Sequence, residues 1–344
     1  SDSSEMSENE KIITYGKIYL YSLIVPGISV IGVIFSYINS KARLNELVKN
    51  GVAFEKAYNL IYPISKTTKP NPSIIIGSLI FVIFTLSIGF SKIPFSQEIV
   101  FIGSLSIIVY LLITLSSQLD AVSKRMLIGT AIVIFVFRAM PGVGPGASWF
   151  EIDILKFDQE FLSFLGLIAS ILTIFGIFVL RPLMENSSMS RLIIILSIAG
   201  SIFLLPSLGM FYGIHEITSK ITNGIVDARF IAIFNTALES PLGQVSMIPI
   251  LAWIAQSAPS HLKATFFAVL ASFTNLALSA SNLGTKYLNQ IFVVTREVKS
   301  KSGEVTTQAD YSELGILLIT VLLLTLILPI LATIFIRKLK LIAY

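Results

Sequence analysis

Nine long apolar runs fill this chain, and a chain that carries them has to fold in lipid. They cover residues 14–38, 73–93, 97–118, 125–147, 159–180, 191–213, 227–256, 263–291 and 313–337. A helix rising about 1.5 Å per residue needs about 20 apolar residues to cross a hydrocarbon core of about 30 Å. Every run is that long. The bilayer interior offers no water to backbone N–H and C=O groups, so continuous runs of this kind are helices. With 54% of residues hydrophobic and 13% charged, a soluble domain would have no surface. The expected fold class is an all-α polytopic membrane protein with about nine transmembrane helices.

Lys and Arg fix the expected orientation. Residues Lys41, Arg43, Lys49, Lys56, Lys66, Lys69, Lys124, Arg125, Arg181, Arg191, Lys263, Arg337, Lys338 and Lys340 fall on one side, fourteen in all. The opposite side carries eight: Lys11, Lys17, Lys92, Lys156, Lys220, Arg296, Lys299 and Lys301. Cytoplasmic loops hold the excess of basic residues. The chain is therefore expected to start outside and to end in the cytoplasm, in a bacterial-type inner membrane. Loop 292–312, with its three basic residues on the outer side, is a mild exception.

The same distribution argues against nucleic acid as a partner. The net charge of +5 sits in membrane-flanking loops, which is the ordinary place for it. The chain has no cysteine, hence no disulfide, no thiolate nucleophile and no Cys-ligated zinc. SDSSEMSENE is acidic and polar, unlike the basic start of a signal peptide, and reads as a solvated lead-in over 1–13.

Loop 39–72 is the one long connection on the basic side. NELVKNGVAFEKAYNLIYPI places apolar residues at helical spacing beside charges, as in a short amphipathic helix at the interface. KTTKPNP then makes a Pro-rich turn. Loop 292–312 is polar and reads as a flexible hairpin or coil. Many transporters repeat three-helix units with inverted topology. On that arithmetic 119–344 is a complete six-helix bundle. Segment 14–118 is then a partial N-terminal bundle, lacking an initial helical segment.

A charge inside the membrane costs about 2.5–3.5 kcal/mol even on the lenient insertion scale, so each one needs a reason. Arg138 precedes a run of prolines and glycines, AMPGVGPG, that must break its helix. Its guanidinium suits a substrate carboxylate, an ion pair, or snorkelling to the interface. Glu239 lies midway along the seventh run beside Pro241, with Asn235 one turn earlier and Gln244 beyond. It suits proton binding, or pairing with Arg138 or Lys286. Asn275, Ser279, Asn282 and Lys286 recur at spacings of four, three and four, so they share one helix face. That stripe reads as a cavity wall, or as ordinary interhelical bonding. Glu151, Asp153, Asp158 and Glu160 read as a solvated acidic loop. The substrate-binding candidates are thus Arg138, Asn235, Gln244, Asn275, Asn282 and Lys286, with Glu239 for proton coupling. No catalytic constellation, phosphate loop, cofactor motif or metal-ligand spacing appears. A membrane-embedded enzyme and a non-transporting assembly or sensor subunit are the rival classes.

Two segments carry a resemblance. SPLGQVSMIPILAWIAQSAPSHLKATFFAVLASFTNLALSASNLGTKYL resembles the final helices of the folate–biopterin transporter family, with Ala264, Thr265, Ala268, Asn275, Ser279, Ser281 and Gly284 at the family's positions. FRAMPGVGPGASWFEIDILKFDQEFLSFLG resembles that family's seventh helix and the turn into its eighth. The resemblance spans roughly 124–337. It implies a major-facilitator-like bundle, a monomer carrying a small anionic solute of folate or pterin type by alternating access, without a cofactor.

Overall fold

The computed structural model describes residues 24–61, 72–89, 93–117, 119–243, 245–257, 263–300 and 304–341. The lead-in 1–13, the start of the first apolar run, the Pro-rich turn up to residue 71, Gln244 and His261 lie outside the described residues. The chain divides into two compact units, Ser1–Lys69 and Pro70–Tyr344.

The first unit contains α1 (Ile24–Lys49) and α2 (Phe54–Ile61). Here the expected loop gives way to helix, because α1 continues through 39–49 before breaking at Gly51, whose φ is +86°. A positive φ is readily adopted only by glycine. The amphipathic helix expected in this stretch is α2. Ala57 is buried while Phe54 and Leu60 are exposed beside Glu55 and Lys56, a composition suited to the membrane interface.

The second unit contains α3 (Pro72–Gly89), α4 (Ser96–Ser116), α5 (Ala121–Arg138), α6 (Pro145–Asp153), α7 (Gln159–Val179), α8 (Arg181–Asn186), α9 (Met189–Phe211), α10 (Ile214–Ile221), α11 (Ala228–Glu239), α12 (Met247–Ser257), α13 (Lys263–Ile291) and α14 (Leu314–Lys338). Carboxylates cap three of them. Asp120 accepts from the N–H groups of Val122 and Ser123, Asp158 from Phe161 and Asp227 from Phe230. Each cap satisfies backbone donors that a helix start leaves orphaned. α4 packs between α3 and α13, α14 packs on α9 and α5, and α7 packs on α11. The largest core joins Leu111 and Leu115 of α4, Val133 and Ile134 of α5, Ile193 of α9, Ile254 of α12 and Phe266 and Leu270 of α13.

Among the described residues five helices are long and apolar enough to cross a bilayer: α4, α7, α9, α13 and α14. Two further apolar runs are broken where proline sits. The fourth run splits into α5 and α6, with 139–144 unwound. The seventh run splits into α11, a 3-10 turn Ser240–Leu242, and α12. Pro241 has no N–H to continue the helical ladder, so α11 ends at Glu239. The expectation that Glu239 lies at the middle of a helix is therefore corrected: it is the last residue of α11.

The described residues of loop 292–312 pair as the two arms of a hairpin. Val298–Lys299 pairs antiparallel with Val305–Thr307, and Thr295 bridges Asp310. Its anchor is Asp153 at the end of α6. Arg296 grips that carboxylate with Nε and Nη2, each at 2.8 Å, and the Tyr311 hydroxyl donates to it at 2.7 Å. These bonds, the Arg296 fork foremost, hold the Asp153 carboxyl below the usual range. The exceptional basic residue Arg296 is thus neutralised in place. Within the acidic stretch expected to be a solvated loop, Asp153 is bonded in this way, and the half-exposed Asp158 both caps α7 and takes Arg229 Nη2 at 2.6 Å.

Candidate transport site

The Asn275–Lys286 face of α13 lines a cavity of about 870 Å³, closed by α3, α4 and the segment before α4. Asn275, Ser279, Asn282 and Lys286 form one wall. Phe81 and Thr85 of α3 line it, as do Phe95, Glu98, Phe101 and Ser104 from in and before α4. The cavity-wall reading of the polar stripe holds.

Lys286 is not a lone cation there. Its Nζ lies 2.7 Å from Glu98 Oε1, and the Tyr287 hydroxyl donates to that same oxygen at 2.8 Å. The Glu98 side chain is only 16% exposed and that of Lys286 38%. The other carboxylate oxygen, Oε2, is buried without a hydrogen-bond partner among the described residues, and so is the Thr85 hydroxyl. Buried polar atoms are nearly always bonded, so two orphans in one cavity mark a place for an additional group. Glu98 is the residue that sequence reasoning missed. It sits two residues inside an apolar run and looks like the edge of a loop. The one available signal was the cost of leaving Lys286 unpaired.

A different face of α13 holds the broken fourth run. Gly142 N–H donates to Thr285 Oγ1 at 2.8 Å, Ser281 Oγ donates to the Met140 carbonyl at 2.6 Å, and Asn289 Nδ2 donates to the Val143 carbonyl at 3.0 Å. Unwound backbone at membrane depth is tolerated where protein satisfies it in this way. With 100° between successive residues of a helix, residues 281, 285 and 289 lie about a quarter turn from the cavity stripe. One helix therefore serves both features.

The other expected site residues do not join them. Arg138, at the end of α5, donates through Nε to the Thr274 carbonyl at 3.2 Å and through Nη1 to Met247 Sδ at 3.3 Å. It ties α5 to α13 and α12, one residue from Asn275, and is not among the cavity-lining side chains. Asn235 and Glu239 belong to α11, which packs on α7 and α9. Glu239 forms no ion pair with Arg138 or Lys286.

The profile of the BT1 family matches residues 2–343. The chain belongs to the BT1 family. This is the folate–biopterin transporter family, and the match extends the resemblance from 124–337 to nearly the whole sequence. No curated protein and no solved structure matches significantly. The chain is thus an integral membrane protein of a family that transports solutes of folate and biopterin type.

Proposed function

We propose that this protein is a secondary active transporter that carries a small anionic solute of folate or pterin type, proton-coupled and by alternating access. The observation that carries the reading is the cavity between α3, α4 and α13. Its volume of about 870 Å³ is in the usual range for small-molecule sites, roughly 300–1,000 Å³. Phe81, Phe95 and Phe101 offer flat apolar surface to a fused ring. Asn275 and Asn282 each supply a donor and an acceptor, which suits a ring edge bearing amino, imino and keto groups. Lys286 attracts an acid group. Arg138 acts as a positioning residue by fastening α5 beside Asn275. Two carboxylates are available for the proton, Glu239 at the α11 break and Glu98 in the cavity. The membrane is read as a bacterial-type cytoplasmic membrane with the C-terminus inside, from the basic asymmetry.

Uptake of labelled folate and of labelled biopterin into proteoliposomes tests this. Asn282→Ala removes hydrogen bonds worth about 1.4 kcal/mol, or about tenfold in apparent affinity. Lys286→Met removes a charge-assisted contact worth about 1.5–3 kcal/mol, or about ten- to a hundredfold, for folate more than for uncharged biopterin. Uptake unaffected by either substitution, or no uptake of either solute by the unaltered protein, overturns the reading.

A further inference from the structure

We infer that Glu98 is the proton-binding group of the transport cycle: it holds Lys286 while the cavity is empty, and takes one proton when the cargo's acid group replaces it there. The inference rests on the transport reading above and adds to it the proton's site and stoichiometry.

The geometry divides the two oxygens of Glu98. Oε1 takes both donors, Lys286 Nζ at 2.7 Å and Tyr287 OH at 2.8 Å. Oε2 takes none among the described residues and is buried. A cargo carboxylate reaching Lys286 competes for the ammonium with Oε1, an oxygen of the same chemistry. Once Lys286 has turned away, Tyr287 still bonds Oε1, while a charge remains on a carboxylate with no cation. Desolvation then favours the neutral acid, and Oε2 is the vacant atom to receive the proton. Before binding, the pair sums to zero charge, Lys286 positive and Glu98 negative. After binding, the sum is again zero: Lys286 positive, cargo acid group negative, Glu98 neutral. One proton enters with each cargo negative charge held at Lys286, and that charge adds no net charge to the cavity. That matters because an unpaired charge inside the membrane is costly.

Among the described residues Glu98 has no competitor. From α13 it faces Lys286 and Tyr287. The described residues of α3 include no titratable side chain, and α4 itself carries only Tyr110 besides Glu98. Lys92 lies outside the described residues. Glu239 touches neither Lys286 nor the cavity.

Two measurements on the full chain test this. The first needs no cargo. In Lys286→Met the cation is gone, so an infrared band of a protonated carboxylic acid should appear at neutral pH and vanish in the Lys286→Met, Glu98→Gln double variant. No such band overturns the inference, whatever the cargo is. The second is calorimetry of folate binding in buffers of different ionisation enthalpy. The unaltered protein should take up one proton per folate bound through Lys286, with affinity rising about tenfold per pH unit lowered. Glu98→Gln should bind folate with no proton uptake, and should exchange folate without accumulating it on a pH gradient. Proton uptake that survives Glu98→Gln and is lost in Glu239→Gln assigns the proton to Glu239 and overturns the inference. Failure of the unaltered protein to bind folate, with the infrared band present, counts against the cargo reading and leaves Glu98 as the proton site.

Discussion

Gly144→Ala should cost the fold about 2–4 kcal/mol, the sum of a backbone penalty and a lost contact. Gly144 sits at φ 82° and ψ −167° as the N-cap of α6. That region is essentially closed to other residues and costs about 1–3 kcal/mol when one is forced into it. A Cβ there would also lie 2.7 Å from Asn289 Nδ2. The Asn289 amide cannot swing away freely, because it donates to the Val143 and Thr285 carbonyls at 3.0 and 2.9 Å. Displacing it forfeits about 1 kcal/mol. Gly142, two residues earlier, is the internal control: a Cβ there meets only Thr285 Oγ1, at 3.8 Å. The assay is equilibrium unfolding in mixed micelles titrated with a denaturing detergent. Gly142→Ala should shift the midpoint little and Gly144→Ala strongly. In an Asn289→Ala background Gly144→Ala should cost about 1 kcal/mol less, since the contact term is already gone. Equal small losses for the two alanines would refute the claim that this break is a fixed, α13-supported feature.

Other outcomes follow from the outer hairpin and from topology. The depressed Asp153 carboxyl stabilises the hairpin above its unfolded value of about 3.9, and that contribution is lost as pH falls through the lower folded value. Tyr311, pushed up to about 12 by burial and by its bond to Asp153, contributes fully below its ordinary value of about 10 and loses its contribution as pH rises through about 12. Amide exchange at Thr295 and Asp310, corrected for intrinsic rate, should therefore be slow at neutral pH, faster in acid and in strong base. In Asp153→Asn it should be fast already at neutral pH, and unchanged exchange there would count against the anchor. Cysteines placed at Ser187 and Ser219 in this cysteine-free chain should react with an impermeant reagent from opposite sides. Reaction from the same side would contradict the orientation.

How much of this was legible beforehand depends on the length scale of each feature. The apolar runs announced the helices because burial in lipid acts over about 20 residues at once. The α5 break was legible for the same reason that it exists: Pro141 and Pro145 with three glycines leave few helical options. The α13 stripe was legible because a cavity wall has helical periodicity. What the sequence hid was pairing. Lys286 and Glu98 are 188 residues apart, and nothing local in SQEIV distinguishes a cavity carboxylate from a loop edge. The partners of Arg138 were hidden in the same way. A guanidinium spent on the Thr274 carbonyl and the Met247 sulfur has the same sequence context as one awaiting a substrate. Glu239 was placed mid-helix because Pro241 kinks some helices and ends others, and the choice is made by packing against α7, where Thr173 Oγ1 donates to the Ser240 carbonyl at 2.9 Å.

The central claim is that cargo occupies the cavity between α3, α4 and α13. Ser279 lines that cavity between Asn275 and Asn282, and the chain contains no cysteine to confuse the reading. In a Ser279→Cys variant that still takes up folate, labelling by a small maleimide should slow as folate is added, half-maximally at the concentration that half-saturates uptake. A cysteine at Ser219, on α10 and not among the cavity-lining residues, should label at the same rate throughout. Labelling of Ser279→Cys that is indifferent to folate, in protein that transports it, would contradict the account.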